Sequence, residues 1–278
     1  MEADRQKGCI GVFDSGLGGL TVVRRLMAEL PHEDIVYLGD SARVPYGTKS
    51  RETIRTFAQQ DAAFLMKFDP KLIVVACNTA SAHALDSLSA SLPVAVLGMV
   101  EPGARMAVTF AGDGPIGVMA TEATITSDAY PRMLERLSPG CRVLSAACPL
   151  LVPIVEEGRS EHDPIVLNVL TDYLHDMQRE RPTALILGCT HYPLLSGAIA
   201  KLMGPSTRLI DSGWAAALAV KWQLAHNGLA RGGGEPGTLR CFATDNPARL
   251  SRLAERIMGR PVDVQWVGTD ELTCEEVQ

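Results

Sequence analysis

The chain has 278 residues, 46% of them apolar, enough to bury the core of one large domain or two of modest size. A formal charge of −6 and a pI near 5.6, with no basic stripe, exclude nucleic-acid binding driven by charge. Seven cysteines follow a polar start, residues 1–7, too short for a signal peptide, and no apolar run approaches the roughly 18 residues a membrane span needs, so we expect reduced thiols and a cytoplasmic protein.

Residues 9–13 read as a short strand. Residues 16–30 follow as a helix, with Leu17, Leu20, Val23, Met27 and Leu30 in helical rhythm until Pro31. A strand over 34–39 and a helix over 51–68 come next, the latter with Ile54, Phe57, Ala58, Leu65 and Phe68 on one stripe. The apolar run 72–76 predicts a strand buried on both faces, 79–88 a helix and 94–97 another strand.

The pattern then restarts. Pro115-Ile-Gly-Val-Met-Ala-Thr121 echoes Cys9-Ile-Gly-Val-Phe-Asp-Ser15, and Ile10 and Cys77 are 67 positions apart where Ile116 and Cys189 are 73. This spacing implies an internal duplication. Alternating strands and helices with long crossovers predict an α/β fold of two pseudo-symmetric domains, each a mostly parallel sheet with helices on both faces and the active site in the cleft between them. Glycine-rich stretches at 112–114 and 232–237 mark loops, and 238–244 and 262–267 read as strands flanking a helix over 247–258. The pattern does not assign these last strands to either sheet.

Cys77 in Ala76-Cys-Asn-Thr79 and Cys189 in Gly188-Cys-Thr-His-Tyr192 occupy matching points, each at the carboxyl end of an apolar run. Ligands bind at that edge of parallel sheets, where the next helix presents free N–H groups and a positive dipole end that favours a thiolate. Repetition in a polar setting marks these two thiols as chemical. Cys9, Cys141, Cys148, Cys241 and Cys274 lack that setting and read as small core residues. His191 adjoins Cys189 and can hold it ready or carry protons. His32, His83, His162, His175 and His226 read as solvated or packed.

Asp14-Ser-Gly-Leu-Gly-Gly19 fails as a dinucleotide fingerprint, because Thr21 stands where the last glycine belongs. It reads instead as a turn whose amides, with Ser15, approach a small anion, leaving Asp14 free at the strand end. Pro45-Tyr46-Gly47 predicts a rigid turn presenting backbone amides and a phenol hydroxyl. Cys141 and Cys148 are too far apart for a zinc knuckle, and Cys189 with His191 supplies only two ligands, so no metal is expected.

Taken in order, Asp14-Ser15-Gly16, Pro45-Tyr46-Gly47, Cys77-Asn78-Thr79, Glu156-Glu157-Gly158 and Gly188-Cys-Thr-His-Tyr-Pro193 resemble the motif set of the glutamate racemases, within the aspartate/glutamate racemase superfamily. The resemblance runs from about residue 10 to 213. It implies a cofactor-independent two-base isomerase that interconverts L- and D-glutamate for peptidoglycan, and so for cell wall and cell shape. It implies a discontinuous first domain, 1–99 with 212–278, and a second over 100–211. Cys77 and Cys189 become the acid/base thiols, assisted by Asp14 and His191, with Glu157 supporting His191. Substrate falls to Asp14, Ser15, Pro45, Tyr46, Gly47, Asn78, Thr79, Thr121, Thr190 and His191.

A decarboxylase of the superfamily would keep one thiol, and an aspartate racemase tends to carry an acidic residue after Cys-Thr where His191 stands. A thiol hydrolase built on Cys189 and His191 would leave Cys77 without a task. The resemblance also implies a homodimer, with no membrane and no direct nucleic acid partner. The sequence leaves open an amino-acid sensor, DNA gyrase as partner and regulation by a peptidoglycan precursor.

Overall fold

The computed structural model describes residues 8–273; the start at 1–7 and Cys274 lie outside the described residues. In chain order the first elements are β1 (Cys9–Asp14), α1 (Leu20–Glu29), β2 (Ile35–Gly39), α2 (Arg51–Met66), β3 (Pro70–Val75), α3 (Asn78–Ser91), β4 (Ala95–Gly98) and α4 (Val100–Ala111). Then come β5 (Ile116–Ala120), α5 (Glu122–Thr126), α6 (Ala129–Leu137), β6 (Val143–Ala147), α7 (Leu151–Glu156), α8 (Pro164–Glu180) and β7 (Ala184–Gly188). The chain continues through α9 (Ser196–Met203), β8 (Arg208–Asp211), α10 (Ser212–His226), β9 (Leu239–Ala243), α11 (Pro247–Met258) and β10 (Val264–Trp266).

The strands form two parallel sheets, one ordered β10-β9-β2-β1-β3-β4 and the other β6-β5-β7-β8. Removing β9 and β10 leaves the same order in both, the second strand beside the first and the third on its other side. The register repeats as well: Gly11, Val12 and Phe13 face Ile73, Val74 and Val75, as Gly117, Val118 and Met119 face Leu185, Ile186 and Leu187. The duplication in the sequence is thus a duplication of topology. The final strands extend the first sheet, with β9 paired to β2 and β10 to β9.

Alternate residues of a strand point to opposite faces, so each buried strand needs two apolar sets. Ile10, Val12, Leu72 and Val74 pack under Leu20, Val23 and Leu26 of α1 and Val220 and Leu224 of α10. Phe13, Ile73 and Val75 pack under Ile54 and Leu65 of α2 and Ala84 and Leu88 of α3. In the second sheet, Leu185 and Leu187 face α8 and α9, while Val118 and Ile186 face α4 and α6. Helices on both faces leave the strand ends as the open edges.

The strands β1 and β3 start their crossovers in opposite directions from a shared border, and so do β5 and β7. Such a reversal opens a crevice at the carboxyl ends. One crevice holds Asp14, Ser15 and Cys77; the other holds Thr121 and Cys189. The helix expected over 16–30 starts only at Leu20, because Gly16–Gly19 is occupied in the turn that leads out of the first crevice.

Candidate active site

Cys77 is the N-cap of α3, and its sulfur accepts a hydrogen bond from the Ala80 N–H at 3.5 Å while pointing its own hydrogen at Ser15 Oγ, 3.6 Å away. The helix end favours a thiolate here, yet burial dominates. Burial, followed by the charge of Asp14, pushes the Cys77 thiol up to about 12. It is therefore a neutral S–H at physiological pH, contrary to the expectation drawn from the helix dipole.

Cys189 follows β7, with its sulfur 3.7 Å from His191 Nδ1. On the other side of the ring, Nε2 lies 3.2 Å from Glu156 Oε1. Glu157, expected in that role, is exposed at the C-cap of α7. One step along a helix turns a side chain by about 100°, which separates two adjacent glutamates into one facing the ring and one facing water. Glu156 Oε2 lies 3.5 Å from Arg249 on α11.

Burial opposes charge on His191, but its hydrogen bonds to Cys189 and Glu156 outweigh it and raise the imidazole from 6.5 to about 10. Glu156 is held below its ordinary value: burial works upward, and the His191 hydrogen bond and charge more than offset it. The pair is an imidazolium with a carboxylate. Because the folded value of His191 exceeds the unfolded one, its contribution to stability is fully present below pH 6.5 and is lost as pH rises through about 10. The buried thiols of Cys77, Cys148 and Cys241 act in the same direction, but only above their ordinary value of 9.0. Between pH 6.5 and 9.0 His191 contributes to the loss, alongside the buried carboxyls of Asp14 and Asp61, whose raised values act in the same direction. The melting temperature of the native chain is expected to fall across that window, and His191→Gln to flatten the fall. Parallel curves for the two proteins would contradict the ion pair.

Asp14 is fully buried and does not stand free. Its Oδ2 accepts the Gly16 and Gly19 N–H groups at 3.1 and 3.0 Å, and its Oδ1 faces the Thr190 hydroxyl at 3.4 Å. The carboxylate braces the glycine turn from behind, and burial raises its pKa. Gly18 has to be glycine in this packing, since a Cβ there would lie 2.3 Å from Thr190 Oγ1 and 2.5 Å from His191 Nδ1.

The Tyr46 hydroxyl is likewise spent elsewhere. It donates toward Asp40 and Asp61, both buried, and Arg43 joins the same carboxylates at 2.6 and 2.9 Å. The turn after the cis Val44–Pro45 bond therefore lines the cleft with its phenol hydroxyl already engaged by these carboxylates. Gly47 is pressed against Thr121, whose side chain a Cβ would meet at 2.8 Å.

Three hydroxyls close the seam between the halves: Thr79 Oγ1 lies 2.9 Å from Thr121 and 3.0 Å from Thr124. Asn78 is oriented by the Tyr130 hydroxyl, which donates to its Oδ1 at 2.7 Å. Tyr130 and Thr124 belong to no motif read from the sequence, and an isolated tyrosine or threonine carries no signal that could have found them. Val44 and Val152, also missed, form apolar parts of the wall.

Ser15, Pro45, Tyr46, Gly47, Cys77, Asn78, Thr79, Thr121, Cys189, Thr190 and His191 thus line one cleft, with Asp14 behind it and Glu157 outside it. The cavity between these walls is about 20 Å³, space for about one water. An outer cavity of about 240 Å³ shares Val44, Pro45, Gly47, Thr121 and Val152 with it and forms its mouth.

The fold and cleft define a class of α/β protein in which two topologically equivalent sheets each bring one thiol to a common polar pocket. Residues 12–220 match the model of the Asp/Glu/hydantoin racemase family, and the chain belongs to that family. It is 44% identical over 250 residues to a glutamate racemase of Geobacter metallireducens, covering 90% of this chain and 92% of that protein. A glutamate racemase structure from Bacillus anthracis superimposes with a TM-score of 0.90 at 38% identity, covering 94% of this chain and 97% of the other. One from Francisella tularensis, solved in complex with D-glutamate, gives 0.88 at 38% identity, with 95% and 99% covered. Among the described residues no helix is long and apolar enough to cross a membrane.

Proposed function

We propose that this chain is a glutamate racemase that moves the α-proton of glutamate between two thiols, without a cofactor, and supplies D-glutamate for peptidoglycan. The carrying observation is the convergence of Cys77 and Cys189, from equivalent strand ends, on one enclosed cleft. Family membership and the relatives that are glutamate racemases support the substrate.

Inversion at a carbon requires a base on one face and an acid on the other. In the proposed mechanism one resting state supplies both. A proton passed from Cys189 to His191 leaves a thiolate beside an imidazolium that Glu156 stabilises, while Cys77 keeps its S–H. The thiolate takes the α-proton, the Cα–H electron pair is held as a carbanion, and Cys77 delivers its proton to the opposite face. Cys189 ends as a thiol and Cys77 as a thiolate, which is the starting state for the other hand of substrate.

Ser15, Asn78, Thr79 and Thr190 would bind the α-carboxylate and hold the charge that develops on it, in a site largely closed to water. A cleft with room for one water admits glutamate only if its walls separate, and the mouth at Val44, Pro45 and Val152 is the side on which they would do so.

Proton NMR of L-glutamate and, separately, L-aspartate in D₂O tests this reading with no added cofactor. Loss of the glutamate α-proton signal together with growth of the D-isomer is the expected result. No exchange with either amino acid would refute a racemase, and exchange with aspartate alone would move the substrate.

A further inference from the structure

The relay from Cys189 through His191 to Glu156 does not end inside its own half of the molecule. Glu156 closes α7 and belongs to the part of the chain around the second sheet. Arg249, whose Nη2 lies 3.5 Å from Glu156 Oε2, is on α11, which packs on the first sheet. The two carboxylate oxygens are therefore divided, Oε1 to the imidazole and Oε2 to a guanidinium from the opposite half. A second contact runs alongside it, with Arg256 of the same helix donating to the Gly158 carbonyl at 3.2 Å.

We propose that Arg249 is a positioning residue for the racemase reaction: by holding Glu156 Oε2 from across the seam, it sets the orientation of His191 and the readiness of its proton for Cys189. The proposal rests on the two-thiol reading above. Arg249 touches no reacting atom and acts only through Glu156.

Two physical effects follow from this position. Anchoring one oxygen fixes the plane of the carboxylate, so the other keeps its line to Nε2. The guanidinium also competes with the imidazolium for the charge of the Glu156 carboxylate, keeping the His191 proton mobile. The groups that face His191 are Cys189 and Thr190 from its own segment, Asp14 from the end of β1, and Glu156 from α7, with Arg249 behind the last. Of these, Arg249 alone is half-exposed, and it lines neither the cleft nor its mouth.

Losing Arg249 should stabilise the imidazolium and loosen Glu156 at once. Arg249→Gln is expected to lower kcat about two- to five-fold, the scale of a half-exposed ion pair, and to move the alkaline limb of the kcat–pH profile up by about half a unit. Arg249→Lys, which keeps the charge, should restore most of both. In a Glu156→Gln background, whose own limb moves down, Arg249→Gln should have no further effect on rate. Arg252→Gln, on the same helix face and without a contact to Glu156, serves as the comparison for any general effect on α11 and should leave rate and profile unchanged.

An unshifted limb in Arg249→Gln, or a rate loss equal with and without the Glu156 carboxylate, overturns the proposal. A native protein that exchanges no α-proton would instead refute the racemase reading on which it rests. The two failures are separated by the behaviour of the unsubstituted enzyme.

Discussion

Cys189→Ser is expected to lose both racemisation and α-proton exchange, whereas Cys77→Ser is expected to lose racemisation but keep exchange for one hand of glutamate. The difference follows from the unequal surroundings of the two sulfurs. Cys189 has the buried His191 ring at 3.7 Å, the proposed mechanism starts with it as the base, and a serine hydroxyl cannot replace a thiolate in that role. Cys77 is a neutral donor, pushed up to about 12 by burial and Asp14. With Cys77 replaced, Cys189 can still remove a proton from the face it meets and return deuterium to the same face. Racemisation should fall about 10³-fold in each variant, within the range for losing an acid or base. NMR of both enantiomers in D₂O checks this. Racemisation within about ten-fold of the native rate in either variant would remove the two-thiol mechanism, and exchange that is equal for both hands in Cys77→Ser would remove the proposed resting state.

Gly18→Ala should cost about 10²-fold in kcat/KM, the order expected when a reacting group is displaced by about an ångström. The added methyl carbon would lie 2.3 Å from Thr190 Oγ1 and 2.5 to 2.6 Å from two atoms of the His191 ring. None of these can stay in place. Either the turn moves off its brace on Asp14, or the ring leaves Cys189 and Glu156. Overpacking of this kind costs about 1–3 kcal/mol of stability, which a well-packed two-sheet protein can bear. The activity loss should therefore appear in a folded protein, checked by its melting curve. Gly232→Ala, where nothing lies within 4 Å of the new carbon, should leave rate and melting unchanged. Full activity in Gly18→Ala would mean that the ring's position is not critical.

The particular failures of sequence reading share one origin. Asp14 looked free because its partners include Thr190, 176 positions away, and its nearer contacts are backbone amides that any residue supplies. Tyr46 looked like a donor to substrate because Asp61, which accepts its hydroxyl, lies in the middle of a helix with no motif around it. Glu157 was chosen over Glu156 because two adjacent glutamates are equivalent until the helix phase is known. Arg249 had no motif at all. The thiol of Cys77 was expected to be acidified because the helix end is visible in sequence, while the depth of burial that overrides it is not.

What the sequence determined by itself is periodic or repeated. Buried parallel strands need short apolar runs, crossovers need helical stripes, and an internal duplication preserves its spacing, so the α/β class, the paired halves and the two strand-end cysteines were legible from local pattern. Only the tertiary structure decided which oxygen meets His191, where the Tyr46 hydroxyl goes, which sheet takes β9 and β10, and how far burial raises the Cys77 thiol. Hydrogen-bond direction and desolvation depend on atoms brought together from distant parts of the chain, and no local pattern of residues carries that information.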